Sequence, residues 1–290
     1  MSIRYVVLDF DGTCTRVTDT ADAYLAEARR LLAAEIGECA TANWNQALAT
    51  VRARSPQAGW MLAGTPAAPV GADPYILAGE TAAYLMRQVA PGRKPPDVHG
   101  RAYDAAPSDW RPEAAEVLRD LVRRGLTVRF VSNSPTGKIE KRLDKLFAGS
   151  FAWRDSIKVL GDAAKFSIRE LSFDDPRLDP ARRQAFARLP AAEEAAGLGR
   201  PIYLRRGAYF EALCQVWGSD LDGPARTLVC SDVYELDLAM PAHLGCHVHL
   251  ITRAAPYDTY DYERHAVQRL GSRGGVSDDL RGILARLTSS

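Results

Sequence analysis

A short apolar run, Tyr5 to Phe10, breaks off into Asp9, Asp11 and Gly12. Three further runs, Thr127 to Val131, Arg226 to Cys230 and Cys246 to Ile251, each follow a helical stretch. Continuous apolar runs of this length, bounded by polar and turn-forming residues, fit strands buried on both faces. Strands that alternate with helices in this order restrict the chain to an α/β fold with a doubly wound parallel sheet. In such sheets the carboxyl ends of the strands carry functional groups.

The helix signals agree. Arg111 to Arg124 places Leu118, Leu121 and Val122 on one face and stops at Gly125, a residue suited to the left-handed cap position. Between the first two strands, Thr20 to Ile36 and Pro74 to Val89 read as helices, and Tyr24, Ala28, Leu31 and Leu32 form an apolar stripe at helical spacing. Little strand pattern accompanies them. The expected organisation is a catalytic core of residues 1–14 and 108–290, interrupted by a helical domain over 15–107. The joints would be the turn after Thr13 and the Pro-rich segment from Pro91 to Pro107. A polar stretch from Ser167 to Arg200, carrying Asp174, Asp175, Pro176 and Pro180, reads as a surface insertion with a short helix near Arg182 to Arg188.

Charge excludes some partners. With 37 basic and 36 acidic residues the net charge is +1, which leaves no electrostatic footprint for nucleic acid or an anionic membrane. Any phosphate site is therefore local. The five cysteines form no CxxC pair and are odd in number, which argues against a disulfide framework. No basic-then-apolar leader precedes the first strand, and no apolar run approaches the roughly 20 residues of a membrane helix. These features lead to the expectation of a cytoplasmic protein.

Four clusters of polar residues follow the apolar runs. In Asp9-Phe10-Asp11-Gly12-Thr13 the two carboxylates are one residue apart at a strand end. Asp9 can project toward a phosphoryl group and a cation, while Asp11, past the turn that Gly12 permits, reaches a leaving-group oxygen. Ser132-Asn133-Ser134-Pro135 ends the next strand and opens a helix over Thr136 to Phe147. Ser134 is suited to the N-cap, and Ser132 and Asn133 to binding an anion there. Arg205-Arg206-Gly207, between the apolar run Ile202 to Leu204 and a helix around Tyr209 to Trp217, offers a cation to neutralise phosphoryl charge. Arg206 is the choice, with Arg205 and Lys165, which follows the Ile157 to Leu160 strand, as alternatives. Ser231-Asp232-Val233-Tyr234-Glu235-Leu236-Asp237 follows the strand Leu228 to Cys230. Asp232 would complete an oxygen-rich magnesium site with Asp9 and the main-chain carbonyl of Asp11, and Asp237 would orient it.

Together the four clusters resemble the haloacid dehalogenase superfamily of phosphatases and phosphotransferases over residues 1–14 and 108–253. The resemblance implies a Rossmann-like core and makes the helical insertion a cap. It also implies that Asp9 forms an aspartyl-phosphate, that Asp11 protonates the leaving group and then activates water, and that Mg2+ is held by Asp9, Asp11 and Asp232. Ser132 would then supply the phosphate-binding hydroxyl. The third cluster departs from the family in presenting arginine where lysine is usual, and a long insertion precedes it. Asp11 disfavours the dehalogenase branch, whose pattern lacks the second acid. The expected function is magnesium-dependent hydrolysis of a phosphomonoester of a small soluble molecule. Transfer of the phosphoryl group to another acceptor, or a non-catalytic phosphate-binding role, are the alternatives.

Other signals carry less. Gly137-Lys138 lacks the glycine at position 132 and the following Ser or Thr of a nucleotide loop. His247 and His249 share a strand face without further zinc ligands nearby in sequence, and are expected to be satisfied strand histidines. The glycines of Gly271 to Gly275 follow no credible strand, so dinucleotide binding is unsupported, and Asp278 to Leu287 reads as a closing helix. Trp44, Trp60, Tyr84 and Tyr103 are expected in the core of the inserted domain rather than in a substrate pocket.

Overall fold

The computed structural model describes residues 2–93, 96–172, 175 and 178–288; Asp174 and Pro176 of the expected surface insertion lie outside the described residues. The chain divides into two units. One comprises Met1–Thr15, Trp110–Arg253 and Thr259–Ser290, the other Arg16–Asp109 and Ala254–Asp258.

The first unit is built on six strands: β1 (Tyr5–Leu8), β2 (Thr127–Val131), β3 (Ile157–Leu160), β4 (Thr227–Ser231), β5 (His247–Ile251) and β6 (Gly274–Ser277). They lie in the order β6-β5-β4-β1-β2-β3, and each neighbouring pair is parallel. This is the doubly wound order, in which β1 sits where the winding reverses and the crevice opens at the carboxyl ends of β1 and its neighbours. Successive residues on a strand point to opposite faces, and the cores divide accordingly. Tyr5 and Val7 join a cluster with Val229, Val248 and the helix Gly207–Trp217. Val6 and Leu8 join Phe130, Leu228 and the helices Ala114–Arg123 and Thr136–Phe147. Both faces of β1 are thus buried, which is why its sequence does not alternate.

Strand β6 was not among the strands expected from the apolar runs. Its Gly-Gly-Val-Ser sequence has low strand propensity, and its glycines are there for space. A Cβ on Gly274 would lie 1.9 Å from the Val267 carbonyl oxygen, and one on Gly275 would lie 2.6 Å from His249 Nδ1. The polar stretch before Arg206 is also more ordered than a surface insertion. It holds a helix, Pro180–Ala187, capped by Asp179, and a two-stranded antiparallel pair, Ala192–Glu193 with Ile202–Tyr203.

The second unit contains the expected helices Ala21–Ile36 and Pro74–Val89, joined by Trp44–Arg52 and His99–Ala105. Tyr24, Leu31, Trp44, Leu85 and Tyr103 are buried together in its core. It also holds a hairpin, Gly59–Leu62 with Thr65–Pro69, absent from the sequence reading. The two connecting residues, Ala63 and Gly64, have φ of 50° and 83°. That is the paired left-handed geometry of a tight hairpin turn, and alanine is an uncommon residue in the first of those positions. Among the described residues no helix is long and apolar enough to cross a membrane.

His249 joins β5 to β6, its Nε2 lying 2.7 Å from Ser277 Oγ. Burial pushes its pKa down from 6.5 to about 4, with Arg286 adding to the effect. The folded state therefore keeps His249 neutral where the unfolded chain takes up a proton. Stability from this residue is fully present above pH 6.5 and is lost as pH falls toward 4, on the order of 3 kcal/mol in all. Urea unfolding at pH 7 and at pH 4.5 is expected to show a steeper loss in the wild type than in His249→Gln. Equal losses in the two proteins would remove His249 from the acid limb.

Candidate active site

Asp9 follows β1 directly, Ser132 follows β2 and Asp232 follows β4. Because β2 and β4 flank β1, the sheet delivers all three residues to one end, on strands about 4.8 Å apart.

The turn after Asp9 binds the first and fourth motifs together. The Thr13 hydroxyl accepts the Asp232 N–H at 3.1 Å. Its single proton lies within reach of Asp232 Oδ1 at 3.1 Å and of Asp9 Oδ2 at 3.3 Å, so one hydroxyl is shared by two carboxylates. Gly12 has φ +80°, and a Cβ there would lie 2.3 Å from Asp232 Oδ2. Glycine is thus required twice, for the backbone conformation and for the approach of the Asp232 carboxylate. Arg111 clamps the same turn from outside, Nε donating to the Thr13 carbonyl at 2.8 Å and Nη2 to the Gly12 carbonyl at 3.1 Å.

Asp9 Oδ1 accepts from Lys165 Nζ at 2.5 Å. The same ammonium is ion-paired with Asp237 Oδ1, and Lys165 is only 1% exposed. Burial alone would push the lysine pKa down, but Asp237 and Asp9 together hold it above the ordinary lysine range. Asp237, also buried, is pushed up by desolvation against the pull of Lys165, with Asp9 adding to the rise. Its other oxygen accepts from Ser231 Oγ at 2.7 Å.

This geometry corrects the choice of cation. Arg206 is buried, but its Nη1 donates to the main-chain carbonyl of Lys165 at 2.9 Å and its Nε to that of Tyr203 at 3.2 Å. It supports the lysine from behind, and desolvation lowers its pKa to about 10. Arg205 turns to the carbonyls of Leu189 and Ala187 and to Glu170. Lys165 escaped first choice because it sits five residues past the end of β3, on a loop that folds back over the second motif. The Ala163 N–H reaches the Ser132 carbonyl, the Asp162 N–H reaches the Ser134 carbonyl, and the Lys165 N–H reaches Asn133 Oδ1 at 2.7 Å. Asp162 and Ala164 take φ of 53° and 44°, a left-handed strain that the surrounding bonds must hold. Asn133, expected to bind phosphate, thus has its oxygen committed to the lysine backbone.

Ser134 also differs from its expected role. Pro135 occupies the N-cap position of the helix Thr136–Phe147, with no side-chain cap, and Ser134 Oγ instead donates to Asp11 Oδ2 at 2.6 Å. Ser132 Oγ accepts the Ser134 N–H at 3.2 Å and fixes that turn. The segment after Asp232 is a buried π-helical turn, Tyr234–Leu238. Glu235 in it accepts from Arg200 through both oxygens at 2.7 Å and from Tyr262 Oη at 2.5 Å. Tyr209 Oη donates to the Asp237 carbonyl at 3.0 Å. Arg111, Tyr209 and Arg200 have no sequence signal of their own, because each acts on main chain or on a residue remote in sequence.

The carboxylates of Asp9 and Asp232, tied to one hydroxyl at the Gly12 cradle, offer only oxygen donors, which suits a hard divalent cation that keeps part of its water. Among the described residues no three His, Cys, Asp or Glu side chains form a metal cage. A cation here would therefore rest on two carboxylates, with main-chain oxygen and water completing its shell. Removing Lys165 would leave Asp9 and Asp237 as uncompensated buried charges. Lys165→Met is expected to lose about 3–5 kcal/mol of stability at pH 7, and the loss should shrink at lower pH as Asp237, whose pKa burial already raises, takes up a proton. Urea denaturation across pH measures this, and an unchanged midpoint at pH 7 would refute the central place given to the lysine.

No family model and no curated protein matches the chain. Solved structures do. A haloacid dehalogenase-superfamily phosphatase from Thermococcus onnurineus superposes with a TM-score of 0.50 at 12% identity, covering 98% of each chain. A protein described as a predicted phosphoglycolate phosphatase from Haemophilus somnus 129PT gives 0.48 at 15%, again over 98% of each chain. L-2-haloacid dehalogenase from Xanthobacter autotrophicus gives 0.43 at 19% over 99% of each chain. The strand order, the placement of Asp9 at its switch point and the superposition on the Thermococcus phosphatase agree: the chain has the fold of the haloacid dehalogenase superfamily.

Proposed function

We propose that the protein is a magnesium-dependent phosphohydrolase acting on a phosphomonoester of a small molecule, with Asp9 as nucleophile and Asp11 as acid and base. The observation that carries this reading is the charge arrangement around Asp9. Asp9 and Asp237 share one ammonium, Lys165, while Asp232 meets Asp9 at the Thr13 hydroxyl and Asp11 accepts from Ser134. A phosphate dianion would be repelled by such a cluster unless a divalent cation joined it. Asp9, Asp232 and the Asp11 carbonyl are the groups we assign to Mg2+, which when bound would neutralise phosphoryl charge.

The protein's own groups then divide the work. Lys165 holds Asp9 Oδ1 by an ion pair, and the Asp9 carboxylate attacks phosphorus while the bond to the ester oxygen breaks. Asp11 gives its proton to the departing alcohol. Ser134 Oγ donates to Asp11 Oδ2 at 2.6 Å and fixes the orientation of this acid. Once the alcohol has left, Asp11 as carboxylate takes a proton from water, the water attacks the phosphorus of the acyl phosphate, and Asp9 is regenerated with release of inorganic phosphate. A halide leaves without needing a proton, so an acid with its own hydrogen-bond partner favours an oxygen leaving group over a carbon–halogen bond. Ser132 is assigned to hold a phosphate oxygen. The inserted helical unit is assigned the choice of substrate. A cytoplasmic setting accords with free cysteines at positions 14, 39, 214, 230 and 246.

With magnesium present the protein is expected to release inorganic phosphate from an aryl phosphate, and excess chelator should stop it. Asp9→Asn should fall to background, and Asp11→Asn should fall by about 10²–10⁴-fold. Phosphate release by a folded Asp9→Asn protein at the wild-type rate would overturn the assignment.

A further inference from the structure

The Asp232 loop is gripped from behind by a buried ion pair that lies outside all four motifs. Arg253, two residues past the end of β5, donates through Nη1 to the main-chain carbonyl of Asp232 and to Glu263 Oε1 at 3.2 Å. Its Nη2 donates to Glu263 Oε2 at 2.5 Å. Glu263 accepts in addition the N–H groups of Tyr234 and Tyr260, each at 3.0 Å. Both side chains are buried, Glu263 with 0% exposure. The Arg253 N–H is itself fixed by Thr259 Oγ1 at 2.7 Å. One guanidinium–carboxylate unit therefore holds the carbonyl of Asp232 and the N–H two residues later. The Asp232 carboxylate itself accepts from the Thr13 hydroxyl at 3.1 Å.

A buried pair of this kind is a poor source of stability, because desolvation offsets most of its attraction. What it does supply is direction. The planar fork is fixed by its two bonds to Glu263, so the Nη1–H that reaches the Asp232 carbonyl arrives from a set direction, which a point charge on a flexible stem would not provide. We propose that Arg253, braced by Glu263, is a positioning residue that aims the Asp232 carboxylate at the divalent cation. The proposal rests on the reading of Asp232 as a metal ligand.

Charge and position make opposite predictions here. Arg253 is a cation close enough to act on Asp232 electrostatically, so deleting its charge would by itself tighten the binding of Mg2+. Loss of alignment would loosen it. Magnesium binding to the purified full chain, followed by titration calorimetry without substrate, separates the two. Arg253→Met is expected to weaken Mg2+ binding by about 10–100-fold, the range for residues that orient a ligand. Arg253→Lys should not rescue it. The double variant Arg253→Met with Glu263→Gln keeps an acceptor for the Tyr234 N–H and removes both buried charges; it should fold and still bind weakly. If Arg253→Met does not fold, the double variant and Arg253→Lys carry the test.

Magnesium affinity at or above the wild-type level in a folded variant would overturn the positioning role while leaving Asp232 as a ligand. A wild-type protein that takes up no magnesium would overturn the metal reading and this inference with it.

Discussion

The Lys165 ammonium stands between two buried carboxylates, Asp9 and Asp237, and much of the active end of the sheet is arranged to keep it there. Bringing three charges out of water costs several kcal/mol per ion. A contact between opposite charges at this range returns on the order of 4 kcal/mol even in an effective dielectric near 20. Two such contacts on one ammonium offset the cost, and either carboxylate without the lysine would be left exposed to the other's repulsion. The same balance has a chemical consequence. The carboxylate of Asp9 is fixed by that ion pair at the end of a strand, where it is placed to act as a nucleophile.

Position follows from the sheet. Strand order places β1 between β2 and β4, so the ends of three neighbouring strands present Asp9, Ser132 and Asp232 together. The lysine arrives from the fourth, β3, on a loop that bends back. Its path depends on two left-handed residues and on backbone bonds to the second motif, and it is fastened by Asn133 at its N–H and Arg206 at its carbonyl. Residues that look like phosphate ligands in sequence thus serve the lysine. Arg253 and Glu263 serve Asp232 in a parallel way.

Much of this was legible in the residues alone. The apolar runs ending in carboxylates announced the parallel sheet, and Asp9, Gly12, Thr13 and Asp232 do converge, because strand ends in such a sheet have few places to go. Asp237 was expected to orient the magnesium site, and its carboxylate is ion-paired with Lys165. Other features left no trace. Arg206 outranked Lys165 because two adjacent arginines before a helix make a louder local pattern than one lysine in a loop, and only tertiary contacts show which faces Asp9. Strand β6 was hidden by glycines that Val267 and His249 require. The hairpin of the inserted unit was hidden by an alanine in a glycine-like conformation. Arg253 and Glu263 act across a fold that no local spacing encodes.

Acid quenching of the wild-type protein within a single turnover of an aryl phosphate, followed by mass spectrometry of its peptides, asks directly whether Asp9 becomes covalently phosphorylated. A peptide containing Asp9 should carry one acid-stable phosphoryl adduct, or its hydroxylamine-trapped equivalent, that is absent without magnesium. Rapid phosphate release with Asp9 unmodified at every quench time would contradict a nucleophilic role for this carboxylate.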